Sequence, residues 1–242
     1  MFIRTTNSTN TLLKERLAKG EWPEGEKYLY TGYQTAGRGQ TGNSWESEAD
    51  KNLLCSILLP PDQNLYFLNI AVGVAVRRVM KSFVFERSGL GSLSELVSRK
   101  WPNDIYWQDK KVAGILVENA ILGNEIKYSI AGIGLNVNQT EFVSDAPNPV
   151  SLKQITGKEF DVEQLLNQLL EQVYQVINEP AQELWSYYKS HLYRREGFWP
   201  FEDKNGIFEA RIEDVLPSGE IVLSDRQGQL HQYGFKQIKY IL

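Results

Sequence analysis

The sequence predicts an α+β protein in which helices flank a mixed β-sheet and a small β-rich module follows. Residues 52–59 form an almost continuous apolar run that ends at two prolines, which is typical of a buried strand. Residues 65–83 carry apolar side chains every three or four positions, which is typical of an amphipathic helix. After about Arg195 the pattern changes to short strands separated by turns. We therefore expect one domain over residues 1–195 and a second over residues 196–242.

Helix and strand signals follow one another along the chain. Leu12, Leu13 and Leu17 recur at helical spacing behind Ser8, and Gly20 ends the run, so a short helix is predicted to begin near Ser8. The remaining predicted elements, in chain order, are a strand at 27–34, a strand at 52–59, a helix at 65–83 capped by Asn64, a loop at 88–94, a hairpin of 105–107 with 112–117, a strand at 126–137, a loop at 139–149, a helix capped by Asp161, a helix after Pro180, and strands at 206–215, 220–223 and 235–241.

The composition argues against several classes of protein. With 42% hydrophobic and 23% charged residues the balance is that of a soluble protein, and no apolar run approaches the roughly 20 residues that a membrane helix requires. The N-terminus lacks the pattern of a secretory signal, so a cytoplasmic location is expected. Cys55 is the only cysteine and there are two histidines, which argues against a disulfide or a zinc site. The 26 basic and 30 acidic residues give no positive field for nucleic acid.

The first chemically informative segment is residues 37–42, Gly-Arg-Gly-Gln-Thr-Gly, which formally matches the G-x-G-x-x-G dinucleotide-binding pattern. That pattern requires a helix after the third glycine, but here polar residues lead to the strand at 52–59. The pattern also requires an acidic residue about 20 positions further on to bind the ribose. The acid near that position, Asp62, follows a double proline, so we reject a dinucleotide-binding fold. A flexible loop with exposed amides and Arg38 remains, which suits closure over an anion; a glycine-rich surface turn is the alternative.

A second segment, residues 100–104, reads Lys-Trp-Pro-Asn-Asp and is followed by Lys111 at the end of a predicted hairpin turn. The Trp-Pro pair supplies a rigid wall, and the Asn-Asp pair offers oxygen atoms to a sugar, to phosphate-bound magnesium or to an amide. The two-residue period of a strand puts Lys111 on the face of Ala113, Ile115 and Val117, where its ammonium would border apolar surface and hold a carboxylate. A solvated turn lysine is the alternative interpretation.

A third segment, residues 132–138, carries Gly132 and Gly134 in a predicted strand, which indicates close approach of a ligand or of another part of the chain, or else a bulge. In this order the segments resemble the biotin-protein ligases. The motifs that carry the resemblance cover roughly residues 4–140 and are Ser8-Thr9-Asn10, Gln34, Gly37-Arg38-Gly39, Trp45, Lys100-Trp101-Pro102-Asn103-Asp104, Lys111, Gly114 and Gly132-Ile133-Gly134-Leu135-Asn136.

The resemblance implies both a fold and a site. The fold is a biotin/lipoate ligase-like catalytic domain with a small C-terminal SH3-like β-barrel. Lys111 and Arg38 would be catalytic, no metal ligand comes from the chain, and Mg²⁺ enters with the substrates ATP and biotin. The implied biotin site consists of Ser8, Thr9, Asn10, Gln34, Arg38, Gly39, Gln40, Lys111 and Gly114. The implied ATP site consists of Arg38, Trp45, Asn103, Asp104, Lys111 and Asn136.

The implied reaction is activation of biotin by ATP to biotinyl-5'-AMP, followed by transfer of the biotinyl group to a lysine of a biotin carrier protein of the acetyl-CoA carboxylase type. The chain starts almost at the first motif, so the N-terminal winged helix of relatives that act as repressors is expected to be absent. Neither nucleic acid nor a membrane is an expected partner. Pairing of edge strands into a homodimer is compatible with this fold.

Two other functions remain open. A lipoate- or octanoate-protein ligase shares the fold and the reaction, but its ligand head would leave the polar side chains of Ser8, Thr9 and Gln34 unpaired. A non-catalytic biotin or nucleotide sensor is the second, because the closing loop carries uncharged residues where relatives often have basic ones: Gln40, Thr41 and Asn43.

Overall fold

The computed structural model describes residues 1–40, 42–61, 64–143 and 148–242. Thr41, Asp62 and the middle of the predicted loop at 139–149 lie outside the described residues. The strands are β1 (Phe2–Thr6), β2 (Tyr28–Gln34), β3 (Leu53–Leu59), β4 (Val97–Lys100), β5 (Asp104–Trp107), β6 (Lys110–Leu122), β7 (Glu125–Leu135), β8 (Trp199–Asp203), β9 (Gly206–Val215), β10 (Ile221–Asp225), β11 (Leu230–Tyr233) and β12 (Lys239–Tyr240). The helices are α1 (Thr9–Lys19), α2 (Leu65–Val79), α3 (Leu152–Thr156), α4 (Val162–Val176) and α5 (Ala181–Ser190).

A seven-stranded sheet forms the larger part of the molecule, in the order β1-β2-β3-β7-β6-β5-β4. β1 pairs with β2 in parallel, and the other neighbours are antiparallel, so the predicted mixed sheet is confirmed. Side chains alternate between two hydrophobic clusters on β3, β6 and β7. The larger cluster packs against α2, α4 and α5, and the smaller one joins Leu13 and Leu17 of α1 to Ala120 and Ile130.

The three longest α-helices of the described residues begin where the sequence indicates. α1 follows Ser8 and ends at Gly20, whose φ of 68° is the left-handed conformation that favours glycine. The side chain of Asn64 accepts a hydrogen bond from the Phe67 amide at the start of α2, and Asp161 caps α4 in the same way. The predicted helix at 65–83 continues past α2 as a π-helical segment, Met80–Glu86, and part of the predicted loop at 88–94 is a 3₁₀ helix, Gly91–Leu96.

A second, five-stranded antiparallel sheet follows, in the order β11-β10-β9-β8-β12. The predicted strands at 206–215 and 220–223 are confirmed as β9 and β10. The predicted strand at 235–241 is wrong over its first half, because Gly234 and Gln237 exchange hydrogen bonds and Lys236 has a φ of 66°, which makes a turn before β12. No pairing between β11 and β12 closes the sheet within the described residues, so a closed SH3-like barrel is not confirmed.

The C-terminal sheet contacts the larger part of the molecule at several points. Trp101 donates its indole N–H to the carbonyl oxygen of Gly219 at 2.9 Å, and Arg194 donates to the carbonyl oxygen of Ile241 at 2.6 Å. The first contact holds the turn between β9 and β10 close to the end of β4, and the second holds the chain just after β12 close to Arg194. The domain boundary at residue 195 stays a prediction. No helix among the described residues is both long and apolar enough to cross a membrane.

Candidate functional site

A cavity of about 600 Å³ opens on the face of the large sheet that carries α1. Its walls come from the start of α1, the end of β2, the loop that follows β2, the turn between β4 and β5, the middle of β6 and β7, and the C-terminal segment around β12. All the residues of the predicted biotin site line this cavity. So do all those of the predicted ATP site except Asn136. A cavity of this size is typical of small-molecule sites.

The start of α1 and the end of β2 form a hydrogen-bonded polar corner. The Gln34 side-chain oxygen accepts from the Thr9 amide at 2.8 Å and from the Thr9 hydroxyl at 3.2 Å. Asn10 accepts from the Ser56 hydroxyl at 2.6 Å and donates to Glu118 at 2.8 Å. Ser8, Thr9 and Asn10 are all buried. These side chains are therefore fixed in place and present donors and acceptors to a neutral polar ligand group.

The loop after β2 is tied to β6 through Arg38. Its guanidinium donates to Glu118 at 3.0 Å, and the loop itself forms a small hairpin in which the Gly39 amide bonds the Asn43 carbonyl at 2.9 Å. Glu118 thus accepts hydrogen bonds from both Asn10 and Arg38, and the sequence analysis missed this role. The available signal was its position on the same strand face as Gly114, at a two-residue period.

Lys111 and Asp104 form the charged part of the site. The Lys111 ammonium lies 2.8 Å from an Asp104 carboxylate oxygen and 5.5 Å from the centroid of the Trp45 ring. Both members of the ion pair are largely shielded from solvent, with side-chain exposures of 27% and 16%. The ammonium therefore lies in a partly desolvated place, where it attracts an anion more strongly than an exposed lysine does.

The predicted strand face of Lys111 is wrong. An added Cβ at Gly114 would lie 3.5 Å from the Lys111 ammonium, so the side chain lies on the Gly114 face and not with Ala113 and Ile115 in the hydrophobic core. The cause is an irregularity in the β5–β6 pairing, where Tyr106 pairs with Lys111 but the preceding residue pairs with Ala113. The extra residue reverses the alternation and turns Lys111 into the cavity.

Glycines on β6 and β7 make room for two side chains. Gly114 pairs with Gly134. A Cβ added at Gly114 would lie 3.0 Å from the Trp45 ring, and a Cβ added at Gly134 would overlap that ring. At Gly132 a Cβ would overlap the Asn10 side chain. The pairing of β7 is regular here, so the alternative of a bulge is wrong and the close approach of other side chains is confirmed.

Positions along β6 separate the polar corner from the ion pair. Glu118, which bonds Asn10, is four residues from Gly114, over which Lys111 lies. At about 3.3 Å per residue the two points are about 13 Å apart along the strand. The uncharged side chains of the polar corner, with the Glu118–Arg38 pair beside them, therefore lie at one place, and the Lys111–Asp104 pair lies at another.

Two predicted nucleotide contacts are already engaged by the protein. Asn103 lines the cavity, but its amide donates to the Ile115 carbonyl at 2.7 Å. Asn136 is 3% exposed, donates to the Val150 carbonyl at 3.2 Å and is not among the residues that line the cavity. Its side-chain oxygen has no hydrogen-bond partner among the described residues. The structure therefore does not bring Asn136 together with the other predicted site residues.

The cavity also contains residues that the sequence analysis gave no role. Lys100 of the Lys-Trp-Pro-Asn-Asp segment lines it, as do Tyr106 and Tyr240. Tyr240 comes from β12, and no local sequence pattern links that strand to β4. Within the described parts of the chain, no group of three or more histidine, cysteine, aspartate or glutamate side chains is arranged to hold a metal ion.

Comparison with known proteins agrees with this arrangement. The sequence profile of the biotin/lipoate A/B protein ligase family matches residues 2–136. The biotin--[acetyl-CoA-carboxylase] ligase of Paracoccus denitrificans is 31% identical over 178 residues, which cover 69% of this chain and 68% of that protein. The bifunctional ligase/repressor BirA of Escherichia coli is 34% identical over 134 residues, which cover 54% of this chain and 38% of that protein. The matched segment spans less than half the length of the BirA proteins of Escherichia coli and Bacillus spizizenii.

A solved structure resembles the whole chain. The biotin protein ligase from Aquifex aeolicus, in complex with biotin and ATP, superposes with a TM-score of 0.78 at 25% sequence identity. The superposition covers 100% of this chain and 98% of that protein. The C-terminal sheet is thus part of the shared fold.

Proposed function

Because the chain belongs to the biotin/lipoate A/B protein ligase family, we propose that it activates biotin with ATP and transfers the biotinyl group to a lysine of a biotin carrier protein. The observation that carries this proposal is the separation of two kinds of group in one cavity. Asn10 and Gln34 lie in the neutral polar corner, and Lys111 lies beside Asp104. A molecule with a urea-like ring at one end and a carboxylate at the other matches both.

In the first step a biotin carboxylate oxygen attacks the α-phosphorus of ATP. A new oxygen–phosphorus bond forms, the bond to the β-phosphate oxygen breaks, and pyrophosphate leaves with the electron pair. The two reacting groups are both anionic, so cations must neutralise them as they approach. Lys111 lies in the cavity beside Asp104 and would supply one such cation. Arg38, which pairs with Glu118, would supply a second once its guanidinium leaves that carboxylate for the anions.

In the second step the amine of a carrier lysine attacks the carbonyl carbon of biotinyl-5'-AMP. The amide bond forms, AMP leaves and the amine loses a proton. Positioning and electrostatics suffice for both steps, and no protein nucleophile is required. Cys55 lies in β3 and is 1% exposed, and burial raises the pKa of its thiol to about 12, so it is a core residue.

Magnesium enters the proposal as part of the nucleotide. Mg²⁺ is commonly held by substrate phosphates together with one or two carboxylates. Asp104 is a carboxylate that lines the cavity, and it would supply that ligand from the protein side, in contrast to the expectation that the chain provides no metal ligand. The ion would neutralise charge on the phosphate chain.

Biotin is favoured over lipoate and octanoate by the polar corner. An alkyl chain would offer no hydrogen bonds to the donors and acceptors of this corner that the protein's own bonds do not engage, and a site of this kind rejects a ligand that lacks the matching groups by roughly 10⁴ or more. Two relatives, the biotin--[acetyl-CoA-carboxylase] ligase of Paracoccus denitrificans and the bifunctional ligase/repressor BirA of Escherichia coli, favour biotin as well. A carboxylase carrier domain is accordingly the proposed acceptor.

The proposal is tested by mixing the purified protein with ATP, magnesium, biotin and a biotin carrier domain. We expect biotin-dependent exchange of labelled pyrophosphate into ATP and a mass gain of one biotinyl group on the carrier. Exchange that requires lipoate would indicate the other ligase class, and biotin binding without exchange would indicate a sensor. Either result would contradict the proposal.

Lys111→Met removes the ammonium and keeps the apolar stem. We expect biotin-dependent exchange to fall by roughly 10²- to 10³-fold, because one charged group that stabilises the developing negative charge is lost. Lys204→Met is the matched control, since Lys204 is exposed in the turn between β8 and β9. A folded Lys111→Met protein with the exchange rate of the control would remove Lys111 from the mechanism.

A further inference from the structure

Glu118 lies behind the wall of the cavity and contacts two residues that line it. One oxygen of its carboxylate, Oε2, accepts a hydrogen bond from the Asn10 side chain at 2.8 Å and another from the Arg38 guanidinium at 3.0 Å. Asn10 and Arg38 line the cavity, whereas Glu118 is not among the lining residues. A change at Glu118 therefore reaches a bound molecule through these two neighbours or through the field of its charge.

The two members of the Arg38–Glu118 ion pair differ in how firmly they are held. Asn10, which donates to Glu118, is 3% exposed, and its side-chain oxygen accepts from the buried Ser56 hydroxyl at 2.6 Å. A Cβ at Gly132 would overlap Asn10, so packing also restricts that side chain. The Arg38 side chain is 44% exposed, against 23% for Glu118. When the ion pair opens, the guanidinium is therefore the group that moves.

An anionic ligand and Glu118 compete for the same guanidinium. Under the proposed function the molecules in the cavity are anions, since biotin carries a carboxylate and biotinyl-5'-AMP carries a phosphate. The acyl end of either molecule would lie near Lys111, which lies over Gly114. Gly114 is four residues from Glu118 along β6, or about 13 Å. One guanidinium cannot contact both places at once, so Arg38 must leave Glu118 to neutralise the anion.

We propose that Glu118 is a positioning residue that competes with the bound anion for Arg38 and thereby limits how long the protein retains biotinyl-5'-AMP. This inference rests on the proposed function and deepens it, because it names the group that regulates release of the intermediate. An equilibrium that withholds a binding group lowers the apparent affinity by the fraction of time that the group is engaged elsewhere. Ion pairs with partly exposed members are modest in strength, so the effect should be a few-fold.

Glu118→Gln tests the competition, because it removes the charge and keeps an oxygen that accepts from Asn10 and Arg38. We expect the Kd for biotin and the rate at which labelled biotinyl-5'-AMP leaves the protein to fall by about 2- to 5-fold. Calorimetry measures the first, and a chase with unlabelled compound measures the second. Loss of a residue that only supports the cavity would weaken binding instead. Glu118→Asp, which keeps the charge, should lie closer to the wild type.

A double substitution separates the ion pair from the general field of the carboxylate. In an Arg38→Met background, Glu118→Gln should change the release rate by less than about 1.5-fold, because the two substitutions act on one interaction and are not additive. Glu183→Gln is the matched control for loss of one negative charge, since Glu183 is exposed in α5. Urea denaturation of each variant establishes that the sheet is folded.

The outcomes distinguish this inference from the function on which it rests. A wild-type protein without biotin-dependent exchange would refute the ligase function itself. A wild-type protein with exchange, together with a folded Glu118→Gln protein that binds biotin and releases biotinyl-5'-AMP as the control does, or more weakly and faster, would overturn the role of Glu118. Equal slowing of release with and without Arg38 would also overturn it, since the carboxylate would then act on the ligand directly through its field.

Discussion

Side-chain volume is tightly limited where Trp45 meets the glycines of β6 and β7. A Cβ added at Gly134 would overlap the indole, and the indole nitrogen is buried without a hydrogen-bond partner among the described residues. Packing therefore fixes the side chain. The same ring lies 5.5 Å from the Lys111 ammonium, so moving it would change the space in which the carboxylate and the α-phosphate are proposed to meet.

Gly134→Ala is expected to displace the Trp45 ring and to lower kcat/KM for ATP by about 10- to 100-fold, because a misplacement of about 1 Å can cost that much. The exchange assay measures this loss, and the urea midpoint shows whether the sheet persists. Gly91→Ala is the control, since a Cβ there would meet one side-chain carbon at 3.9 Å. Kinetic constants equal to those of the control would show that the ring has no effect on the reaction.

Sequence reasoning identified many residues of the cavity but not their hydrogen-bond and ion-pair partners. Motif order was enough to predict that Thr9, Gln34 and Lys111 belong to one site, because the resemblance carries three-dimensional information. The face of Lys111 was predicted wrongly, since the bulge beside it depends on pairing with β5 and leaves no mark in the period of β6. Glu118 was missed for a similar reason: a glutamate in a strand is normally a solvent-facing residue.

At the scale of elements, α2 is joined to β4 through a buried arginine. The Arg99 guanidinium, which is 1% exposed, donates to the Asn69 side chain at 2.9 Å and lies against Gly73. A Cβ at Gly73 would overlap the guanidinium. Gly73 thus allows a charged side chain to enter the helix surface, and Arg99 in turn holds the strand that ends at Lys100.

Gly73→Ala should lower the free energy of unfolding by about 1–3 kcal/mol, the usual cost of overpacking, because the guanidinium must move away from Asn69. Urea denaturation measures the change. In an Arg99→Met background Gly73→Ala should lower the free energy of unfolding by less, since the guanidinium that the new Cβ would overlap is gone. The effects of substitutions at contacting residues are not additive. Equal costs in the two backgrounds would show that the guanidinium does not set the penalty.

Strongly patterned elements were predictable, and elements defined by their neighbours were not. α2 and α4 have apolar spacing and capping side chains, so their starts were predicted to the residue. β1 has no apolar alternation and is held at the edge by parallel pairing with β2, and β4 spans four residues. Both were missed, because short or exposed edge strands depend on tertiary pairing more than on local preference.

On the scale of the whole molecule, pairing between distant segments determines the site. β3 pairs along its length with β7, and β7 with β6, which brings Gly132 and Gly134 beside the strand that carries Lys111. The order of the seven strands could not be read from periodicity, since a strand pattern does not name its partner. The C-terminal sheet reaches the cavity through contacts such as that of Trp101 with Gly219. No local sequence pattern predicts such contacts either.

Cys55 reports on the integrity of this central pairing. It lies in β3 between β2 and β7, is 1% exposed, and is the only cysteine in the chain. Burial raises the pKa of its thiol to about 12, so the folded protein keeps the thiol proton where an unfolded chain loses it. The unfolded state therefore binds fewer protons above a pH of about 8.5, and this group's contribution makes the fold less stable as the pH rises from there toward 12.

Native protein should react with a thiol reagent at pH 8 at least about 10³-fold more slowly than a free cysteine, from the lower thiolate fraction alone. Biotin with ATP should slow the reaction further, by about 100-fold at a ligand concentration of 100 times Kd, because only the ligand-free opened form exposes the thiol. The Cys55→Ser protein, which has no thiol, gives the background signal of the reagent. Labelling at the rate of a free cysteine would contradict the burial of β3. Slow labelling that ligand leaves unchanged would mean that β3 opens without disturbing the cavity.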